Sequence, residues 1–132
     1  MKDHIPVPEP TRSELEILQV LWENGPSTVR FINDTLNERT KAVIYTSTLK
    51  IMQIMVDKKL LSKDESQMKH VYTPLVEEQA VKNIILDKFV DTMYKGSASN
   101  LLVQLVGSNK VSSKEIDEMR ELLNKMSKNN TV

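Results

Sequence analysis

Apolar residues recur every three or four positions in the first half of the chain, a spacing typical of amphipathic helices. The first such stretch starts at Thr11 and Glu14, which are spaced as a capping box. The second opens at Thr28 and is broken by polar residues at 37–41, and the third begins near Ile44. Their buried faces are predicted to be Leu15, Leu18, Leu21, Trp22, Val29, Ile32, Leu36, Leu49, Met52, Met55 and Val56.

A different pattern follows the third helix. Residues 60–63 are short and extended in character, residues 64–67 are polar and turn-like, and residues 68–73 include a brief alternation of polar and apolar positions before Pro74. Two short strands about a polar turn predict a β-hairpin. Three short helices followed by a hairpin is the order of a winged helix-turn-helix.

The second half of the chain is predicted to be helical again. One helix is expected from about 77 to 94, and a short apolar helix is expected at 101–106. A second capping box, Ser112 to Glu115, opens a final helix. Its apolar residues are spaced by three, four and three positions, as in a coiled-coil seam: Ile116, Met119, Leu123 and Met126.

These elements predict a mainly α protein with a small β-hairpin, in which a winged helix-turn-helix domain precedes a C-terminal helical dimerisation region. The expected boundaries are an extended, proline-rich lead-in at 1–10, a DNA-binding domain at 11–76, a dimerisation region at 77–127 and a frayed tail at 128–132.

The net charge is zero, but its distribution along the chain is uneven. Residues 1–38 carry three basic and seven acidic side chains, residues 39–72 carry seven and three, and residues 73–132 carry eight and eight. A basic middle third is the arrangement expected if one face meets phosphates. The alternative is chance fluctuation along a neutral chain.

Composition excludes several classes of protein and of site. The chain has no cysteine, and so neither a disulfide framework nor a thiolate metal site is expected. His70 and His4 are far apart in sequence, and a structural metal site normally needs four ligands, so we expect no metal site. No apolar run is long enough for a signal peptide or a membrane span, so we expect a cytoplasmic protein without membrane insertion. No catalytic motif and no cofactor motif occurs, which argues against an enzyme.

The third helix and the hairpin carry the candidate DNA contacts. The second helix of a helix-turn-helix places its N-terminal residues against base edges, where hydroxyls and methyl groups can read sequence. Basic residues before this helix and on the hairpin are placed to meet phosphate. The expected contacts are Arg39, Lys41, Tyr45, Thr46, Ser47, Lys50, Lys69 and His70. Each of these residues also has a purely structural explanation, because Ser and Thr at a helix start are usually caps and exposed Lys is usually solvated.

The C-terminal helices have more apolar surface than a small domain covers, which predicts a homodimer. A symmetric pair would also match a palindromic operator in double-stranded DNA. The alternative is that these side chains fold back onto the winged helix. The residues concerned are Leu101, Leu102, Leu105, Val106, Ile116, Met119, Leu123 and Met126.

An ordered set of motifs resembles the family of penicillinase and methicillin-resistance repressors. It extends from Thr11 to about Met126 and comprises Thr11-x-x-Glu14-Leu15-x-Ile17-Leu18-x-x-Leu21-Trp22-x-x-Gly25, Thr28-Val29, Tyr45-Thr46-x-x-x-x-x-Met52, Lys58-x-Leu60-Leu61, Tyr72-x-Pro74-Leu75-Val76 and Ser112-x-Lys114-Glu115-Ile116. The resemblance implies a winged-helix repressor that dimerises through its C-terminal helices and blocks transcription from a dyad-symmetric operator.

In lactam-responsive members a membrane sensor-protease system triggers cleavage in the C-terminal region. The resemblance implies the corresponding bond at Gln104-Leu105, although the residue types differ from the family's Asn-Phe. Lys59 stands where the family usually has glycine, so a tighter or reshaped turn is expected there, and Ile54 stands where it often has arginine. Copper-responsive relatives carry C-terminal cysteine pairs, which this chain lacks.

Two other functions are compatible with the sequence. A winged helix can serve as a protein-interaction adapter without DNA, in which case Arg39, Lys50 and Lys69 could be neutralised without functional loss. A hydrolase with an unrecognised site would depend on His70 or on a carboxylate pair.

Overall fold

A computed structural model describes residues 8–40 and 42–129. Six helices and one hairpin follow in the order α1 (Arg12–Asn24), α2 (Val29–Arg39), α3 (Tyr45–Asp57), β1 (Leu61–Asp64), β2 (Val71–Pro74), α4 (Glu78–Tyr94), α5 (Ala98–Gly107) and α6 (Ser113–Asn129). The described chain divides into two compact units, with the boundary between Ile85 and Leu86. The mainly helical fold with a single hairpin is confirmed.

Both predicted capping boxes are present. The Thr11 hydroxyl accepts a hydrogen bond from the Glu14 amide at 3.2 Å, and the Glu14 carboxylate accepts one from the Thr11 amide at 2.8 Å. At α6 the Glu115 amide donates to Ser112 Oγ at 3.1 Å, and the Ser112 amide donates to the Glu115 carboxylate at 3.0 Å. Each reciprocal pair satisfies two amides that the helix itself leaves free, which fixes where the helix begins.

The core of the first unit is formed by the inward faces of α1, α2 and α3 together with the hairpin. Trp22 is half-buried against this core, and its indole N–H donates to the Val76 carbonyl at 3.0 Å. The buried apolar residues are Ile17, Leu18, Val20, Leu21, Val29, Ile32, Leu36, Met52, Met55, Leu60, Leu61 and Tyr72. Most of those on the helices were predicted from helical spacing, so periodicity identified the packed faces correctly.

The hairpin is an antiparallel pair in which Leu61 faces Pro74 and Asp64 faces Val71. A single bridge between Ser27 and Tyr72 attaches it to the loop before α2, with backbone hydrogen bonds of 2.8 and 3.1 Å. This attachment fixes the hairpin against the three helices, as a winged helix-turn-helix requires.

Two helices extend beyond the bounds expected from the sequence. The polar residues from 37 onward do not break α2, which continues to Arg39 because the Thr40 amide still donates to the Leu36 carbonyl. Helix α5 spans Ala98–Gly107 rather than 101–106. Residues 128 and 129 continue α6, where Lys128 places a cation at the negative end of the helix. The remainder of the expected tail, 130–132, and residues 1–7 of the expected lead-in lie outside the described residues.

Helix α3 ends in a Schellman motif. The Leu60 amide donates to the Met55 carbonyl at 2.9 Å and the Lys59 amide to the Val56 carbonyl at 3.0 Å. Lys59 occupies the left-handed position of this motif, with φ of 66°. The turn therefore adopts the conformation that the glycine typical of the family favours, although a lysine occupies it.

A glycine at position 59 is expected to stabilise the protein. A left-handed conformation is unfavourable for a residue with a Cβ, so Lys59→Gly should raise the free energy of unfolding by about 1 kcal/mol. Urea unfolding followed by circular dichroism measures the change. Lys110→Gly, at a position outside the left-handed region, is the matched control and should give no gain. Equal changes for the two variants would contradict this explanation.

Candidate nucleic-acid interface

Helix α3 presents one polar face to solvent. Thr48, Met52 and Met55 point inward and are fully buried, which orients the helix on the core. The opposite side carries the exposed polar residues Thr46, Ser47, Lys50, Gln53 and Asp57 together with the exposed Ile54, and we call Thr46, Ser47, Lys50 and Gln53 the reading face. Hydroxyl, amide and ammonium groups on one exposed helical face provide the hydrogen-bonding chemistry that reads base edges and phosphates.

Neither hydroxyl at the start of α3 serves as a helix cap. The N-cap residue is Ile44, which makes no side-chain cap hydrogen bond, and Thr46 and Ser47 lie within the first turn. The capping explanation for these two residues is therefore wrong. Because both side chains are exposed, their hydroxyls remain available to an external partner.

A cleft of about 590 Å³ lies between the start of α2, the start of α3 and the loop that joins the two strands. We call it the basic cleft, because Arg30, Lys69 and His70 all line it. The other lining residues are Thr28, Val29, Phe31, Asp34, Tyr45, Leu49, Met68 and Tyr72. The fold thus brings three predicted contact residues, Tyr45, Lys69 and His70, to one place.

Tyr45 connects α3 to α2 through an aromatic contact. The Arg30 guanidinium lies over the Tyr45 ring, 4.3 Å from its centroid, and 3.9 Å from a carboxylate oxygen of Asp34. Tyr45 is half-buried, so its ring supports Arg30 at the mouth of the cleft. This geometry holds a guanidinium, a group suited to bidentate contact with phosphate, beside the reading face.

The hairpin carries charges of both signs. Lys63 Nζ lies 2.9 Å from the Glu65 carboxylate, and this contact lowers the pKa of Glu65 and raises that of Lys63. His70 Nδ1 lies 3.9 Å from the same carboxylate, while hydrogen bonding by Ser66 lowers the pKa of Asp64. Since Lys63 is already paired, Lys69 is the cation of this hairpin placed most directly to meet an external anion.

One predicted contact, Arg39, lies away from the basic cleft. It lies at the end of α2, where its guanidinium pairs with the Glu23 carboxylate of α1. Lys41 lies outside the described residues.

Sequence reasoning missed two residues of this surface. Gln53 lies three positions after Lys50 and seven after Thr46, so helical spacing alone could have assigned it to the reading face. Arg30 carried no comparable signal, because it belongs to a different helix. Only the packing of α2 against α3 brings it to Tyr45.

The predicted dimerisation residues lie on α5 and α6. The described residues of these two helices include none that is buried. Gln104 and Leu105, the predicted cleavage position, are exposed in the second half of α5. Leu123 and Met126 on α6 are at least half exposed.

Over residues 8–40 and 42–129, no group of three or more His, Asp or Glu side chains is arranged to hold a metal ion. The helices of the same residues include none with the length and apolar character needed to cross a membrane.

Comparisons with known proteins give one consistent result. The family model described as penicillinase repressor matches residues 10–125. A penicillinase repressor of Bacillus licheniformis is 23% identical over 119 residues, which cover 89% of this chain and 91% of the relative. The methicillin resistance regulatory protein MecI of Mammaliicoccus sciuri is 25% identical over 118 residues, with 89% and 94% covered. The solution structure of the DNA-binding domain of the repressor BlaI aligns with a TM-score of 0.48 and 21% identity, covering 57% of this chain and 90% of that domain.

Proposed function

This chain belongs to the penicillinase repressor family, and we propose that it acts as a dimeric transcriptional repressor that binds a palindromic operator through α3 and the hairpin. Its family consists of transcriptional repressors rather than enzymes. The observation that carries the proposal is the exposed polar reading face of α3 beside the basic cleft. One surface thereby combines groups that read bases with groups that bind phosphate.

We assign separate roles to the two parts of this surface. Thr46 and Ser47 would meet base edges in the major groove, since they project from the first turn of the second helix of the motif. Gln53, about two turns further along the same face, would extend these contacts. The cations would meet backbone phosphates and position the helix: Lys50, Arg30, Lys69 and, when protonated, His70. Tyr45 supports Arg30. Arg39 and Lys41 precede α3 in sequence and would contribute at its flank, where Arg39 would have to exchange its partner Glu23 for a phosphate.

Loss of the two hydroxyls should reduce sequence discrimination. The double variant Thr46→Ala, Ser47→Ala removes groups that read bases but no charge, so the operator-to-random affinity ratio should fall by about tenfold or more. Fluorescence anisotropy with operator and random duplexes measures this ratio. Ser62→Ala, which removes an exposed hydroxyl from β1, is the control. An unchanged ratio in the double variant would remove these residues from base recognition.

Dimerisation would use the exposed apolar side chains of α5 and α6. On α6 the exposed Leu123 and Met126 continue the line of the half-buried Ile116 and Met119, and we call these four residues the C-terminal seam. Apolar side chains left this exposed favour association, and a two-fold axis would place the same seam of each protomer against the other. The dimer would then present two copies of α3 to the two halves of a palindrome.

We propose a functional division along these lines. Residues 11–76 would bind DNA, residues 77–127 would hold the dimer, and the protein would act in the cytoplasm, where bacterial DNA lies. Induction by a membrane sensor-protease system would require cleavage at Gln104-Leu105. That bond lies within α5, so the helix would have to open locally before a protease could reach it.

The experiment that tests the proposal is a salt titration of binding to the palindromic segment upstream of the protein's own gene. Tight binding that weakens as salt rises, with a clear preference over random duplex of equal length, is the expected result. Equally weak binding to both would contradict binding to this operator. A selection from random duplexes then decides between another operator and an adapter that binds protein, since an adapter would enrich no sequence.

A further inference from the structure

A buried polar network connects α2 to the start of α3. Asn33 on α2 is only 3% exposed, and its side-chain amide donates two hydrogen bonds. One reaches the Val43 carbonyl at 2.9 Å, and the other reaches the Thr48 hydroxyl at 2.8 Å. A single side chain therefore links α2 both to the turn before α3 and to the first turns of α3 itself.

Asn37, one helical turn after Asn33, is exposed and extends the network to the surface. Its side-chain oxygen accepts a hydrogen bond from the Val43 amide, and its nitrogen donates to the side-chain oxygen of Asn33 at 3.4 Å. Both backbone polar groups of Val43 are thus held by side chains of α2. Val43 immediately precedes Ile44, the N-cap residue of α3.

The energetics of buried polar groups make this connection specific. An unpaired buried amide or hydroxyl costs about 1–3 kcal/mol, whereas a fully satisfied network favours one geometry over its neighbours. Among the described residues, no buried side-chain nitrogen or oxygen lacks a hydrogen-bond partner. Apolar packing of Met52 and Met55 tolerates small rotations of α3, but the hydrogen bonds to Asn33 do not, because they are directional.

We propose that Asn33 is a positioning residue for DNA recognition, which fixes the direction of α3 relative to α2 through Val43 and Thr48. The inference rests on the proposed function, since it concerns how the reading face meets bases. The start of α3 has no side-chain cap of its own, so the network with α2 takes over the task of holding it. Base contacts need sub-ångström placement, while phosphate contacts from long, flexible side chains do not. Asn33 therefore governs specificity and leaves nonspecific binding unaffected.

The test compares variants of the network by their affinity for operator and for random duplex. Asn33→Leu removes both donated hydrogen bonds and should lower the operator-to-random ratio by about tenfold, with unchanged affinity for random DNA and an unchanged salt slope. Thr48→Val removes one partner and should lower the ratio several-fold. Thr48→Ser, which keeps the hydroxyl, should restore the wild-type ratio.

A core variant separates positioning from a general loss of stability. Ile17→Val lies in the core on α1, outside the network, and should lower the thermal unfolding midpoint by about 4 °C. It should keep the wild-type ratio, because destabilisation alone does not rotate α3. Thermal unfolding establishes which variants are folded at the assay temperature. Should Asn33→Leu fail to fold, Thr48→Val and Thr48→Ser decide the question.

Two outcomes overturn the inference in different ways. Folded network variants that discriminate as well as the wild type would show that the network is only structural, with the repressor function intact. A wild-type protein that prefers no sequence, even after selection from random duplexes, would instead remove the proposed function, and the positioning role with it.

Discussion

Leu123→Asp is expected to convert the protein into monomers. Leu123 lies in the C-terminal seam and is 57% exposed within the chain, so a carboxylate there should leave the fold of the protomer intact. In a two-fold interface the substitution buries two carboxylates, each at several kcal/mol. If the two buried carboxylates together raise the free energy of the dimer by about 4 kcal/mol or more, dimerisation becomes at least about a thousandfold weaker. Light scattering measures the mass of the variant. Its affinity for the operator should also fall, because a monomer bound to one half-site makes few phosphate and base contacts.

Lys125→Asp is the matched control for this prediction. Lys125 is exposed on the same helix, but it lies on the side opposite the seam. Its replacement changes the charge by two units rather than one, and it should nevertheless leave the dimer mass unchanged. A Leu123→Asp protein that retains the dimer mass would show that the partner surface lies elsewhere than in the seam.

The elements of this fold could be predicted where local chemistry decides them. Thr11 and Ser112 open helices through capping boxes, whose partners lie three residues away, and so the sequence contains both halves of each signal. The end of α2 was misjudged because polar residues 37–39 are compatible with either a helix or a loop. The Thr40 amide, bonded to Leu36, shows that the helix continues. The capping boxes thus located where α1 and α6 begin, whereas no comparable local signal marked the end of α2.

The candidate site was predictable only in part, for a related reason. Thr46, Ser47 and Lys50 could be chosen from spacing, because all three lie on one helix and their exposure follows from the burial of their neighbours. Arg30 could not, since its role depends on a contact with Tyr45 between two helices. The pairing of Arg39 with Glu23 was likewise not visible in the sequence, because it depends on how α1 and α2 pack. The sequence was least informative for residues whose partners lie on another helix.

The Asn33 network illustrates the same limit. An asparagine in the middle of a helix looks, in sequence, like an exposed residue that weakens the helix slightly. Its burial follows from a turn and a threonine that approach it from ten and fifteen positions away. Such a residue becomes interpretable only when its hydrogen-bond partners are known. This is why the sequence pointed to the residues proposed to read DNA but not to those proposed to orient them.

Charge reversal on the reading face is expected to have the second large effect. Lys50 is exposed on α3 one turn after Thr46, so Lys50→Glu should weaken binding to operator and random DNA alike. The slope of log affinity against log salt is about 0.9 for each neutralised phosphate. Loss of one lysine–phosphate pair should therefore reduce the affinity at 0.1 M salt about eightfold, taking 1 M salt as the reference. The proposed dimer would present this lysine twice, so the expected reduction in affinity is about sixtyfold, and repulsion between glutamate and phosphate adds to it.

The salt dependence separates this effect from a general disturbance of the fold. The slope of log affinity against log salt should flatten by about one unit per half-site, whereas the thermal unfolding midpoint should not change, because Lys50 is exposed. Lys110→Glu, in the loop between α5 and α6, makes the same change in net charge and should leave both affinity and slope close to wild type. Equal reductions in affinity for the two variants would mean that net charge, rather than a phosphate contact of Lys50, determines binding. A reduction confined to operator DNA would instead assign Lys50 to base recognition.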